Sequence, residues 1–308
     1  DGRGVTGDDQ GTELVDVFQA ERRRLRGVAY RMLGVMADAD DVVQDVWMRW
    51  EAADRAVIEN PAAWLTTVTT RGAVDRLRRR TREQEAYVGP WLPEPLVIAD
   101  DPADPSGGVE LAESLTFGFL VMLEELSPAE RAAFLLADVF EEPYTAVAAA
   151  LDRSEEACRQ LASRARGKLR RESTDPPPTA DRAVVDRGVA AIVAGDEAGA
   201  LACVHPDIDL LSDGGGARHA ARQRVVGAER VVRFMANLAR RVDEDARIEM
   251  ATAGGRPAVV VWPPDDSPLV VSLAVVDGRI AEVRSVLNPA KLADLIDRAD
   301  LDRPPEVI

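Results

Sequence analysis

The spacing of apolar residues predicts helices in two long stretches of the chain. Apolar side chains recur three and four positions apart over residues 13–82 and again over residues 111–171, which is the periodicity of helices that bury one face. Capping residues followed by proline or glutamate mark helix starts after Asn60, Ser127 and Ser154. The two stretches therefore predict two all-helical domains.

The pattern changes from residue 181 onward. Two short helical segments come first, and strand-like apolar runs follow at residues 258–262, 269–276 and 280–287. The dipeptide Asp277-Gly278 between the last two runs is a strong signal for a β-hairpin. The C-terminal part is therefore predicted to be an α+β domain.

Proline-rich segments separate these parts and indicate linkers. The predicted organisation is a disordered tail (residues 1–12), a helical domain (13–88), a linker (89–110), a second helical domain (111–172), a proline-rich linker (173–180) and the α+β domain (181–308).

Charge is unevenly distributed along the 308 residues, whose formal net charge is −16. Residues 71–85 hold six arginines against three acids, and residues 154–172 hold six basic residues against three acids. Residues 83–130 hold eleven acids and neither lysine nor arginine. Two basic stretches joined by an acidic connector predict two nucleic-acid contacts on one polypeptide. Solvated helix ends are the alternative interpretation.

The rest of the composition excludes several classes of protein. Two cysteines, Cys158 and Cys203, occur without a Cys/His cluster, so we expect neither a disulfide framework nor a metal site. No apolar run approaches the roughly 20 residues that span a bilayer, and the polar, acidic N-terminus lacks a signal-peptide pattern. We therefore expect a cytoplasmic protein without a metal, a cofactor or a membrane partner.

An acidic stripe lies on the segment 41–50. Two valines and two tryptophans form the apolar face of this segment, and Asp41, Gln44 and Asp45 lie on the other face. Carboxylates on an exposed face suit a basic partner surface. An ordinary solvated face is the alternative.

The helix predicted after Asn60 ends in a cluster of arginines. Five arginines occur between residues 76 and 82. The helix macrodipole favours cations at this end, but five exceed that need, so phosphate contact is the better explanation. Trp64 near the start of the helix is either a core residue or a stacking platform for an unpaired base.

These two segments together resemble region 2 of the extracytoplasmic-function (ECF) sigma factors of bacterial RNA polymerase. The matching sequences are DADDVVQDVWMRW and NPAAWLTTVTTRGAVDRLRRR. The resemblance implies that Asp41, Gln44 and Asp45 face the clamp helices of the polymerase β′ subunit. It also implies contacts with the −10 promoter element from Trp64, Arg71, Asp75, Arg76, Arg78 and Arg79.

Residues 143–171 have the pattern of a helix-turn-helix. A short apolar helix is followed by the turn Asp152-Arg153 and by a basic helix capped by Ser154, and the second helix of such a motif enters the major groove. The sequence from residue 126 to 171 resembles sigma region 4, which reads the −35 element and binds the β flap. The implied DNA-binding residues are Ser154, Glu155, Arg159, Gln160, Ser163, Arg164 and Arg166.

Two further motifs resemble the SigJ-type group of sigma factors, which carry a SnoaL-like C-terminal domain. They are GPWLPEPL at residues 89–96 and DGGG at residues 213–216. The resemblance implies two all-α domains followed by an α+β SnoaL-like cone-shaped barrel, which acts in cis so that no separate anti-sigma factor is expected. The residues expected between domains are Trp91, Leu92, Pro93, Asp213, Gly214, Gly215 and Gly216.

The resulting interpretation is an alternative sigma factor, not an enzyme, that binds core RNA polymerase and promoter DNA. One alternative is a SnoaL-type cyclase or isomerase with a helical regulatory half; its candidate residues are His205, Asp207, Asp209, Asp213 and His219. A second is a dimeric helix-turn-helix repressor, which would not need the first helical domain. Whether the C-terminal domain activates or inhibits is left open.

Overall fold

The computed structural model describes residues 8–54, 57–84, 87–95, 97–99, 117–172, 181–264, 267–293 and 295–296. These residues form two compact units. The first contains the described residues up to 83 and those from 122 to 172, and the second contains those from 84 to 121 and from 181 onward. The proline-rich segment 173–180, residues 100–116 and the predicted tail residues 1–7 lie outside the described residues.

The first unit is helical. Its elements are α1 (Asp8–Leu33), α2 (Met36–Ala52), α3 (Pro61–Gln84), α5 (Pro128–Phe134), a π-helical turn (Leu135–Val139), α6 (Tyr144–Leu151) and α7 (Glu155–Glu172). Helix α4 (Phe117–Leu123) contains the point in the sequence where the second unit ends and the first unit resumes. Thus the two predicted helical domains share one compact unit.

Capping side chains start these helices where the sequence predicts. Asn60 Oδ1 accepts from the Ala63 amide at 3.0 Å, and Ser154 Oγ accepts from the Ala157 amide at 3.2 Å. Ser127 forms a capping box with Glu130, which satisfies two amides at once.

Two predicted boundaries differ from the structure. Helix α1 begins at Asp8, so residues 8–12 are helical and do not belong to a disordered tail. Helix α3 ends at Gln84, and residues 84, 87 and 88, predicted to close the first domain, lie with the second unit.

The second unit has α8 (Arg182–Ala194), α9 (Glu197–Cys203) and α10 (Ala228–Ala239) beside a seven-stranded sheet. The strands are β1 (Val97–Ala99), β2 (Val204–Asp213), β3 (Val225–Val226), β4 (Arg247–Ala253), β5 (Arg256–Trp262), β6 (Leu269–Val276) and β7 (Arg279–Val286), in the order β1-β4-β5-β6-β7-β2-β3. A 3-10 turn, Pro289–Lys291, follows β7.

The predicted strands and hairpin are confirmed. The three apolar runs become β5, β6 and β7, and Asp277 and Gly278 have φ values of 50° and 71° in the turn between the last two. Positive φ at both central residues is the requirement of a type I′ turn. The sequence interpretation missed β1, β3, β4, most of β2 and helix α10.

Both faces of the sheet are covered in the second unit. On the helix-bearing face, Val259, Val271 and Val283 belong to one apolar cluster. On the opposite face, Val260 and Val270 pack in a second cluster that includes Leu92 from the predicted linker. The linker is therefore part of the fold of the C-terminal domain.

Candidate functional site

The acidic stripe on α2 is exposed. Asp41, Gln44 and Asp45 face solvent, while the valines on the other side of the helix are buried. Asp41 accepts a hydrogen bond from Nη2 of Arg76 at 2.6 Å, and Asp38 accepts from Nε of the same arginine at 2.8 Å. The α2 stripe therefore lies next to the start of the arginine cluster on α3.

The predicted DNA-contacting residues on α3 differ in their surroundings. Arg78 and Arg79 are exposed, and Asp75 is exposed and paired with Arg78 at 3.2 Å. Trp64 is half-buried against Trp50, with ring centroids 5.5 Å apart. Trp64 thus contributes an aromatic contact to the core and still presents part of its surface.

Arg71 on α3 binds the end of helix α6 in the same unit. Its Nη2 donates to the Ala149 carbonyl at 2.7 Å, and its Nε donates to the Ala150 carbonyl at 3.2 Å. The last carbonyls of a helix have no partner within the helix and carry partial negative charge. A guanidinium is therefore a suitable group to bind them.

Helices α6 and α7 form the predicted helix-turn-helix, with Asp152 in the left-handed conformation between them. On α7, Ser163 is exposed, and Gln160 donates to Glu156 at 3.2 Å. Ser154 and Glu155 lie at its start, where Glu155 accepts from Arg159 at 2.6 Å.

The three arginines of α7 are held to different degrees. Arg159 lies 5.2 Å from the centroid of the Tyr144 ring and is half exposed. Arg164 has a side chain that is 60% exposed and lies 3.6 Å from Glu130. Arg166 is bound more firmly, to Asp138 at 2.8 Å and to the Tyr144 hydroxyl at 3.0 Å. The side chain of Arg164 is the most exposed of the three.

The structure brings the two motifs of the second unit together around one buried carboxylate. Asp213, with 0% exposure, accepts from the Leu92 amide at 2.8 Å and from the Lys291 ammonium at 2.5 Å. Lys291 also donates to the Leu92 carbonyl and lies 3.6 Å from the centroid of the Trp91 ring. Leu92 and Pro93 are buried. We call this arrangement of Asp213, Lys291 and Leu92 the linker seat.

Tyr87 completes the linker seat. Its hydroxyl donates to Asp213 at 2.5 Å and accepts from Asn288 at 3.0 Å. Burial, followed by the hydrogen bond to Asp213 and the charge of that carboxylate, raises the pKa of the Tyr87 phenol. The phenol therefore stays protonated and remains a donor to Asp213.

The glycines after Asp213 allow the chain to turn beside the seat. A Cβ on Gly214 would lie 2.4 Å from the Arg218 carbonyl oxygen, and one on Gly215 would lie 2.5 Å from the side chain of Asn288. Gly215 also has a φ of +60°, in the left-handed region. Gly216 follows with a φ of +74°. A larger residue at 215 would therefore displace Asn288, which binds the Tyr87 hydroxyl, and one at 214 would displace the backbone at Arg218.

Sequence reasoning missed Lys291, Tyr87 and Asn288 as members of the seat. One signal was available: lysine occurs only at positions 168 and 291 in a chain that otherwise uses arginine. The compact ammonium group of lysine can contact a carboxylate, a carbonyl and an aromatic ring at the same time, whereas the guanidinium of arginine is a broader, planar group. The rarity of lysine therefore marked Lys291 as a special position.

The linker and the start of helix α4 are each held at one further place. Strand β1 pairs with β4, with Val97 opposite Ala253. At Gly118 in α4, a Cβ would lie 1.8 Å from Nη2 of Arg256, so the guanidinium occupies the space that only glycine leaves open. Arg256 is itself paired with Glu282 at 2.7 Å.

The candidate catalytic residues do not converge. His205 accepts from the Asp207 amide at 3.2 Å, His219 is exposed, and Asp209 is buried in ion pairs with Arg284 and Arg224. A cavity of about 360 Å³ lies under the helices of this domain, and none of the five candidate residues lines it. The acid-base arrangement that the enzyme alternative requires is therefore not built from these residues.

Among the described residues, no group of three or more His, Cys, Asp or Glu side chains is placed to hold a metal ion. None of the described helices is long and apolar enough to cross a membrane.

Both helical parts match known families. Residues 17–83 match Sigma-70 region 2, and residues 118–169 match Sigma-70, region 4. The ECF RNA polymerase sigma factor SigJ of Mycobacterium tuberculosis is 39% identical over 290 residues, which cover 90% of this chain and 92% of that protein. The probable ECF RNA polymerase sigma factor SigI of the same species is 30% identical over 291 residues, covering 92% and 96%.

A solved structure matches over almost the whole chain. The crystal structure of the Mycobacterium tuberculosis extracytoplasmic function sigma factor SigJ has a TM-score of 0.72 at 36% identity, and covers 91% of this chain and 98% of that one. The predicted fold class, two helical sigma regions followed by an α+β SnoaL-like domain, is thereby confirmed. The chain belongs to the extracytoplasmic-function family of RNA polymerase sigma factors.

Proposed function

We propose that the C-terminal domain of this sigma factor controls promoter-specific initiation in cis, by holding the linker between regions 2 and 4. The chain itself acts in transcription initiation, and its partners are core RNA polymerase and promoter DNA. The observation that carries the proposal is the linker seat, where the backbone amide and carbonyl of Leu92 are bound by Asp213 and Lys291.

The acidic stripe on α2 is the proposed contact with the β′ clamp helices. Asp45 and Gln44 are exposed on helix α2, and the buried residues of this helix lie on its other face. Exposed carboxylates give an interface electrostatic specificity and faster association with a basic partner. Region 4 is proposed to bind the β flap.

Helices α3 and α7 are the proposed contacts with the −10 and −35 elements. Exposed arginines on both helices, such as Arg79 and Arg164, suit phosphate and base contacts. Elements centred roughly 25 base pairs apart are separated by about 85 Å of duplex at 3.4 Å per base pair. Arg71 on α3 touches the helix-turn-helix directly, so region 2 and region 4 must separate before both elements can be bound.

The docked linker opposes that separation. If the linker were free, an extended chain from residue 84 to residue 117 would reach about 110 Å. With the linker docked as far as residue 99, the end of β1, only the part from residue 99 to residue 117 can extend, and its reach is about 60 Å. The contact between Arg256 and Gly118 shortens the usable length further. The seat is therefore proposed to be inhibitory, and release of the linker is proposed to allow promoter binding.

Replacing Leu92 with aspartate should raise promoter-specific transcription several-fold. Leu92 is fully buried in the seat, and burying a carboxylate without a partner is strongly unfavourable, so the linker should leave the C-terminal domain. The measurement is run-off transcription with purified core polymerase. Val88→Asp is the matched control because Val88 is half exposed on the same segment. Lower output from Leu92→Asp than from Val88→Asp would reverse the proposed sign of regulation.

Replacing Arg164 with alanine should remove about one unit from the slope of log affinity against log salt for DNA containing the −35 element. The reason is that an exposed arginine on the recognition helix would release a counterion when it binds a phosphate. The measurement is holoenzyme binding at a series of salt concentrations. Arg187→Ala, at an exposed position of α8, should leave the slope unchanged. An unchanged slope for Arg164→Ala would remove this residue from the interface.

The proposed regulation needs no separate anti-sigma factor, since the inhibitory element is part of the same chain. We also propose a cytoplasmic location, because RNA polymerase and promoter DNA are found there.

A further inference from the structure

The C-terminal domain encloses an aliphatic cavity that the proposed function does not use. Its volume, about 360 Å³, falls within the range of small-molecule sites. Helices α8 and α10 form one side and strands β5 to β7 form the other, with Ile192, Met235, Val261, Leu273 and Ile280 among the lining residues. These aliphatic side chains offer dispersion contacts to a ligand.

The charged side chains that line the cavity are carboxylates. Among the lining residues that the structure describes, only Asp243 and Glu244 are ionisable, and both are exposed on the loop between α10 and β4. Exposed apolar residues, Val193 at 59% and Ile248 at 43%, accompany them. The cavity therefore has an apolar interior and a negatively charged mouth.

Neighbouring arginines do not cancel this charge within the lining. Arg240 and Arg241 precede the loop but are not lining residues. Arg247 lies on β4 next to the lining residue Ile248, and side chains of successive strand residues point to opposite faces. Its guanidinium is bound to Glu249 at 3.1 Å and lies 5.1 Å from the Trp262 ring centroid.

We propose that this cavity binds a long-chain aliphatic amphiphile with a cationic head, the chain lying inside and the head beside Asp243 and Glu244. A carboxylate head would meet two like charges at the mouth, which disfavours fatty acids of equal length. Within the described part of the lining, no acid and base pair faces the interior, so we expect the ligand to be bound and not converted. The site goes beyond the proposed function and is independent of polymerase.

The test is calorimetric titration of the full chain with three probes that share one hydrocarbon chain, below their micelle-forming concentrations. They are dodecylammonium, dodecanol and dodecanoate. We expect saturable binding of dodecylammonium at one site, with dodecanoate roughly three- to tenfold weaker, because exposed carboxylates at a mouth are partly screened. Dodecanol should lie between them. Binding of dodecanoate as tight as that of dodecylammonium, or no saturable binding of dodecylammonium, would overturn the proposal.

Two kinds of variant locate the site. Asp243→Asn combined with Glu244→Gln should bring the three affinities together, whereas Asp245→Asn, at the exposed neighbouring position, should not. Asparagine at 243 keeps the oxygen that accepts from the Asp245 amide at 3.1 Å, so the loop is preserved. A charge preference that survives in the double variant would contradict the placement of the head.

A larger side chain in the cavity tests where the hydrocarbon chain of the ligand lies. Met235→Trp should weaken all three probes more than about tenfold, because the larger ring occupies the space of the hydrocarbon. Asn237→Trp adds the same ring at an exposed position of α10 that is not a lining residue. This variant should bind the three probes as tightly as the unchanged protein does. Full binding by a folded Met235→Trp protein would place the ligand elsewhere. If that variant does not fold, the loop variants still decide the proposal.

Discussion

Replacing Asp213 with alanine is expected to destabilise the C-terminal domain by about 3–5 kcal/mol, which is the cost of breaking a buried ion pair from one side. The Lys291 ammonium is only 6% exposed, so it would remain buried without its carboxylate. Tyr87 and the Leu92 amide would lose the same acceptor. Native-state hydrogen exchange of strands β5 to β7 measures this change in the free energy of unfolding.

A matched control and a double variant separate this effect from general damage. Asp207 lies on the same strand but is exposed, so Asp207→Ala should change stability by less than about 0.5 kcal/mol. Adding Lys291→Met to Asp213→Ala should recover part of the loss, because the unpaired ammonium is removed. Equal stability of Asp213→Ala and Asp207→Ala would show that Asp213 does not hold the linker seat together.

Replacing Asp45 with arginine is expected to lower affinity for core polymerase by about a hundredfold. The change reverses the charge of an exposed carboxylate in the acidic stripe, and like charges facing each other across an interface cost several kcal/mol. Asp45 makes no contact that its helix needs, since the buried residues of α2 lie on the other face, so the fold should persist. The measurement is equilibrium binding of labelled chain to core enzyme.

Glu229→Arg is the control for the Asp45 variant. It makes the same charge reversal at an exposed position of α10 in the C-terminal domain and should bind core enzyme normally. If both variants bind equally well, the α2 stripe is not the polymerase contact.

Local signals in the sequence account for the parts of the fold that were predicted. Asn60, Ser127 and Ser154 each cap the helix that follows, because an Asn or Ser oxygen can accept from an amide three residues later. The turn at Asp277-Gly278 is equally local, since its dihedral angles depend on two residues. Features of this kind can be read without knowledge of the rest of the chain.

The linker seat could be only half predicted. The resemblance to the SigJ-type group suggested that the tryptophan-containing linker and the glycine-rich turn act between domains, and the structure joins them through Leu92 and Asp213. The third member, Lys291, is 199 residues from Leu92 along the chain. A contact of that separation has no local periodicity, so the residues alone could not show it.

The arginine clusters show a second limit of sequence reasoning. The charge pattern favoured phosphate contact for the arginine cluster on α3, with solvated helix ends as the alternative. In the structure Arg76 is paired with two aspartates, and Arg80 is bound to Glu124 and to a backbone carbonyl. Arg71 binds carbonyls 78 and 79 residues away. Partners that are backbone atoms of a distant helix leave no mark on the sequence. Arg78, Arg79 and Arg164 remain exposed, as the DNA-binding interpretation requires.

Run-off transcription on a library of promoter fragments tests whether this chain directs initiation and whether its docked linker restrains it. It is run with core polymerase alone, with the full chain, with Asp45→Arg and with Leu92→Asp. We expect discrete start sites that require the chain, are lost with Asp45→Arg and become several-fold stronger with Leu92→Asp. Start sites that are the same with and without the chain would contradict this expectation. So would output from Leu92→Asp that falls together with that from Asp45→Arg.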